Sequence, residues 1–296
     1  MPSRKVNLNV TVVGLSWVVL AGVNFVGFVV LIKYVGSELP PVQAAFIRYL
    51  FGLVVLLPLF IRNGTHIFDT KHIHLHGLRG FIQALAVMLW FYAVTKLPIA
   101  EVTALGFVSP IFVVFGAVFF LRERLTKPRI AAVILGLVGI FVILRPGFIS
   151  MEFGPLLILL ASFIWGSILV VIKSLGRSDA PGTIILYMVA FMTPLSLIPA
   201  LFVWVWPTAE QIGLMFIMGI MGTVGQLTTA HALKVADTAV VMPIDFFRLV
   251  WASILGYFLF AEMLDIFTWI GGTMIFTGAL YLALRERKEQ RETGSK

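Results

Sequence analysis

Apolar runs of about 20 residues, each long enough to cross a bilayer as one helix, recur ten times along the chain. They cover 9–32, 42–61, 77–96, 99–121, 129–146, 154–174, 182–204, 211–233, 238–261 and 266–285. The joints between them are short and carry turn residues, among them Pro40-Pro41, Lys127-Pro128, Arg145-Pro146-Gly147 and Ala180-Pro181-Gly182. The longest joint, 62–76, contains Lys71-His72-Ile73-His74-Leu75-His76. This pattern predicts an all-α integral membrane protein with ten transmembrane helices. The short polar start, MPSRKVNLNV, runs straight into the first apolar run with no A-x-A-like site, so an uncleaved first span is expected.

Composition agrees. Hydrophobic residues make up 60% and charged residues 12% of the chain, against roughly 45–50% and about 25% in soluble domains. The net charge of +8 is a topology signal rather than a nucleic-acid footprint, because the basic residues sit in short loops and the C-terminal tail. With the N-terminus inside, 17 Lys and Arg fall on the inner side, only Lys33, Lys96 and Arg145 on the outer side, and Arg48 and Arg248 within spans. That bias predicts both termini in the cytoplasm. The chain has no cysteine, which excludes disulfides, a thiol nucleophile and Cys-ligated metal.

The two halves repeat. Lys33 and Lys173 are 140 residues apart, as are Pro41 and Pro181; Glu123 and Glu262 are 139 apart. Five spans per half is an odd number, so the second half enters the membrane from the opposite side. Inverted repeats of this kind recur in secondary transporters and place the solute site near the midplane, where the repeats meet. A basic cytoplasmic tail, 285–296, is expected after the second half.

Several stretches carry a family likeness. They are Ala93-Val94-Thr95-Lys96-Leu97-Pro98-Ile99-Ala100-Glu101, Phe107-Val108-Ser109-Pro110-Ile111 and the Glu123 exit, then Ala232-Leu233-Lys234-Val235-Ala236-Asp237-Thr238-Ala239 and Glu262. In them the chain resembles an EamA-type member of the drug/metabolite transporter superfamily over nearly its whole length. The resemblance implies two inverted five-helix EamA repeats, over 13–145 and 154–284, and a carrier of the bacterial inner membrane. The family's repeat often has Glu-Pro midway along its fourth helix; here the positions read Ser109-Pro110 and Arg248-Leu249. Arg48-Tyr49, Leu78-Arg79-Gly80 and Asp245-Phe246-Phe247-Arg248-Leu249-Val250 are similar to the S-adenosylmethionine uptake carrier subgroup.

Candidate chemistry centres on the ninth span, where Asp245 and Arg248 interrupt an apolar run. A charge at the middle of a spanning helix costs about 2.5–3.5 kcal/mol on insertion scales, so such residues face a cavity or a partner. The two lie three apart on one helix face and either form a polar site or pair to hold the bundle. Pro243 and Pro110 remove helix hydrogen bonds in corresponding spans and point to a central site. Arg48 either faces that site or snorkels to an interface. Asn24, Gln83 and Gln226 contact solute or bond helix to helix. Trp90 and Trp251 lie deep enough to stack on a planar solute or a cation. Glu101 is either a proton or cation contact or an interfacial charge near Lys96. Glu123 and Glu262 gate equivalent ends or mark the interface. His66, His72, His74 and His76 lack a Cys or carboxylate cluster and are read as a solvated cytoplasmic loop rather than a metal site.

These features favour a secondary transporter for a small polar metabolite, such as an amino acid or S-adenosylmethionine, working by alternating access. Riboflavin or another planar vitamin or drug-like solute is the alternative. A proton or counter-solute would supply the energy, since no G-x-x-x-x-G-K-[ST] stretch is present. A membrane-embedded enzyme would need paired catalytic groups, yet there is no H-E-x-x-H, no G-x-S-x-G and no compact acid cluster. A channel is the third class. No cofactor and no nucleic-acid partner is expected.

Overall fold

A computed structural model describes residues 8–64, 68–114, 126–146, 153–175, 178–235, 246–263 and 265–293. Ten helices dominate them: α1 (Leu8–Val35), α2 (Pro41–Asn63), α3 (Ile73–Lys96), α4 (Ile99–Gly106), α5 (Lys127–Leu144), α6 (Phe153–Leu175), α7 (Pro181–Phe202), α8 (Ala209–Val235), α9 (Phe247–Phe260) and α10 (Ile266–Thr293). Local sequence sets several boundaries. Pro41, Pro128 and Pro181 stand in first turns, where a missing N–H costs nothing. Arg145 and Ala261 close α5 and α9 in the left-handed conformation.

Stretches of α2, α3, α5, α7 and α10 are long and apolar enough to cross a membrane, and the other helices contain shorter apolar stretches. Large apolar side chains stay exposed along them, Phe81, Phe141, Leu201 and Phe258 for example. In water such a surface would aggregate; in lipid it is the natural exterior.

The helices close a circuit. Each packs on the next in the order α1, α8, α2, α7, α3, α6, α4, α9 and back to α1. Outside the circuit α5 packs along α10, and α10 also touches α4. Exchanging each of the first five helices with its counterpart five places on maps the circuit onto itself: α2–α7 and α4–α9 are unchanged and the other pairings interchange. The α5–α10 crossing obeys the same exchange at residue level. A Cβ on Gly139 would lie 2.7 Å from the Gly271 carbonyl oxygen, and one on Gly278 would lie 2.9 Å from that of Ala132. Ala132 and Gly271 are 139 residues apart, as are Gly139 and Gly278. Only glycine lets the backbones come that close.

Two expectations change. The fourth apolar run is not continuous from 99 to 121: α4 ends at Gly106, the chain turns at Phe107-Val108, and helix resumes at Ser109. The break precedes Pro110, which sits in the first turn of the resumed helix, where it is tolerated, rather than kinking an unbroken span. The second change is that α3 begins at Ile73, so the His stretch is not a free loop. His74 stays exposed, but His76 is fully buried, its Nε2 2.7 Å from Asp179 Oδ2 and its ring stacked on Tyr187 at 4.8 Å. Thr70 Oγ1 donates to the same Asp179 oxygen at 2.6 Å. This knot ties the start of α3 to the α6–α7 turn and draws the helix four residues beyond the apolar run. His66 lies outside the described residues.

Candidate functional site

The circuit's interior is aromatic and carries two guanidinium groups. Phe25 and Phe28, about one turn apart on α1, both reach Trp90 of α3, with ring centroids 6.0 and 6.2 Å away. Trp165 of α6 meets Trp90 from another side at 5.7 Å. The α1 rings also carry the cations. Arg48 Cζ lies 5.0 Å from the Phe28 ring and 4.1 Å from that of Tyr49. Arg248 Cζ lies 4.7 Å from Phe25 and 5.2 Å from Phe107. Arg48, Phe28, Trp90, Phe25 and Arg248 thus form one continuous string across α2, α1, α3 and α9.

Ring faces give a desolvated guanidinium about 0.5–2 kcal/mol each, less than the cost of taking the charge from water. Arg48 is 8% exposed, and its Nε has no acceptor among the described residues. The string therefore keeps donor capacity to offer. Glycines make room for it. A Cβ on Gly222 of α8 would overlap the Arg48 guanidinium; one on Gly22 would sit 3.1 Å from Arg248 Cγ, and one on Gly225 2.8 Å from Asn24 Oδ1.

Of the residues singled out in the sequence, Arg48, Trp90, Arg248 and half-buried Asn24 come together here. Arg48 does not snorkel, because its head is clasped between α1, α2 and α8. Trp251 is 42% exposed on α9 and joins none of these ring contacts among the described residues. Gln83 is buried on α3 but faces α7, its Nε2 3.3 Å from Met188 Sδ. Glu101 is half-buried in the first turn of α4. Pro243, Asp245, Glu123 and the Gln226 side chain lie outside what is described, so the Asp245–Arg248 pairing is left as an expectation. Sequence reasoning missed Phe25, Phe28, Tyr49 and Gly222. The available signal was the i, i+3 spacing of Phe25 with Phe28 beside Asn24.

Glu262 closes one end of the circuit. Ala261 turns left-handed (φ 52°), and the Glu262 N–H reaches back to the Gly256 carbonyl at 3.1 Å. That turn aims the carboxylate at the start of α4, where it accepts from the Ile99 N–H at 2.8 Å. It also pairs with Lys33 at the end of α1, whose Nζ donates to the Leu97 carbonyl at 2.6 Å. One carboxylate and one ammonium thus join α1, the α3–α4 turn and the end of α9. Glu262 fills an orphan donor at a helix N-terminus, where negative charge is favoured.

The circuit of apolar helices and its polar-cationic interior define a multi-pass membrane protein built to handle a small solute. The chain belongs to the EamA-like transporter family, whose model matches it twice, over residues 12–145 and 152–284. A riboflavin transporter of Brucella anthropi is 33% identical over 258 residues, covering 83% of this chain and 89% of that protein. An S-adenosylmethionine uptake transporter of Rickettsia bellii is 28% identical over 278 residues, covering 93% and 95%. A solved crystal structure shares the fold with a TM-score of 0.63 over 92% of this chain and 98% of that one, at 19% identity.

Proposed function

We propose that this transporter is a secondary carrier of a planar, acceptor-rich heterocyclic metabolite of the riboflavin type in the bacterial inner membrane. The observation that carries the reading is the string of two guanidinium groups on the faces of Phe25, Phe28 and Tyr49 beside Trp90 and Trp165. Rings of this kind stack on a flat solute, and the planar forks donate to its carbonyls. The riboflavin transporter relatives support the same class.

S-adenosylmethionine is the second reading, favoured by relatives of that name matched over 93% of the chain. Its adenine would stack and its carboxylate would take a fork. Its sulfonium and ammonium make it a net cation, however, and the desolvated Arg48 guanidinium repels a cation. A neutral acceptor-rich ring meets no such penalty, so the flavin class fits better.

Mechanistically, the two inverted repeats rock around the interior, with both termini in the cytoplasm. The Lys33–Glu262 latch then holds the outer end shut. Arg48, Arg248, Trp90 and Asn24 contact solute; Glu262 gates. Counterflow in proteoliposomes tests the reading. Labelled riboflavin accumulates in vesicles preloaded with unlabelled riboflavin, and Arg48→Gln abolishes the accumulation. Accumulation of S-adenosylmethionine instead would transfer the assignment to the second reading.

A further inference from the structure

Two polar side chains one turn apart on α3 are left out of the central string. Arg79 is 5% exposed; its NH1 donates to the Ile184 carbonyl at 3.2 Å, while its Nε has no acceptor among the described residues. Gln83 is 7% exposed; its Nε2 faces the Met188 thioether, a weak acceptor, and its Oε1 has no donor among the described residues. Buried polar atoms almost always find partners, and each one left over calls for water or a ligand. Tyr49, buried beside Arg48, interacts electrostatically with Arg79.

The two orphans have opposite needs. Arg79 Nε seeks an acceptor and Gln83 Oε1 seeks a donor, and residues four apart on a helix share a face. A carboxylate or phosphate would satisfy the first and repel the second. A heterocycle edge with a carbonyl or ring nitrogen next to an N–H satisfies both. Gly80 brings the pair into the α3–α7 seam, because a Cβ there would lie 2.5 Å from Phe191 Cβ. At 1.5 Å rise per residue, Gln83 and Arg79 lie roughly 10 and 16 Å along α3 from Trp90, toward its start.

We propose that Arg79 and Gln83 form a second solute-binding station that reads the donor–acceptor edge of a nitrogen heterocycle. The inference rests on the carrier reading above and deepens it. The imide edge of an isoalloxazine and the amino edge of an adenine share this chemistry.

The experiment compares counterflow of each parent solute with an edge-blocked analogue: riboflavin against N3-methylriboflavin, and S-adenosylmethionine against its N6,N6-dimethyl analogue. In the transported pair, the wild type prefers the parent by about tenfold, the worth of one buried hydrogen bond of ~1.4 kcal/mol. Gln83→Leu reduces that preference to within twofold by losing the parent, not by gaining the analogue. Gln83→Glu, which keeps an acceptor, retains it and guards against a folding artefact in the leucine variant. A wild type that moves a parent solute yet ignores the blocked edge overturns the station alone. So does a preference unchanged in Gln83→Leu. Failure of both parents to exchange in the wild type overturns the carrier reading and the station with it.

Discussion

Replacing Glu262 with glutamine opens one end of the circuit and leaves the other untouched. Glutamine keeps an oxygen for the Ile99 N–H but removes the charge that faces Lys33. The two side chains are only 17% and 11% exposed, so solvent screens the pair weakly. Charge-assisted hydrogen bonds contribute about 1.5–3 kcal/mol and neutral ones about 0.5–1.5, a loss of roughly 1–1.5 kcal/mol. The equilibrium between latched and open forms shifts by about five- to tenfold. Because the chain has no cysteine, Phe28→Cys reports access to the interior without background. Alkylation of that thiol by an impermeant reagent added outside accelerates about five- to tenfold when Glu262→Gln is introduced. Reversing both charges, Lys33→Glu with Glu262→Lys, does not restore the latch, since the Leu97 carbonyl accepts and the Ile99 N–H donates. Unchanged external labelling in Glu262→Gln, or full recovery in the charge reversal, would refute the latch.

Further outcomes concern the interior, the crossing and the knot. Gly222→Ala drives the Arg48 guanidinium from its place and lowers solute affinity about tenfold, read by substrate titration of counterflow. Gly139→Ala and Gly278→Ala each push a Cβ to within 3 Å of a backbone oxygen. Each costs about 1–3 kcal/mol as overpacking, and melting curves in detergent show similar losses for both. In the knot at the start of α3, burial would raise the Asp179 carboxyl, but hydrogen bonds from Thr70, His76 and Ser178 outweigh it and hold the group below its usual value of 3.8. A depressed folded value means stability that is fully present above pH 3.8 and lost as pH falls through the lower value. The Tm gap between wild type and Asp179→Asn therefore narrows as pH falls below about 4.

The helices and the repeat offset were legible because hydropathy and periodic landmarks are one-dimensional signals. The landmark Glu262 was legible as a helix end, but its partner lies 229 residues away, and no local pattern announces that pairing. Depth along α2 left Arg48 open between cavity and interface; packing against Phe28 and Gly222 decides it. Trp251 is exposed on α9, apart from the ring contacts, and the sequence did not reveal its facing, because Arg248 and Ser253, five residues apart, mark no single face of that helix. His76 was hidden by its neighbours, half-buried His72 and exposed His74. Only the fold brings Asp179, more than 100 residues on, to its ring.

The most direct measurement is riboflavin counterflow by the purified protein in proteoliposomes, with Arg48→Gln and Trp90→Ala alongside. Saturable accumulation by the wild type, lost in both variants at equal reconstitution, is the result the guanidinium–aromatic string predicts. Equal accumulation by all three proteins, or none by the wild type while S-adenosylmethionine accumulates, would contradict it.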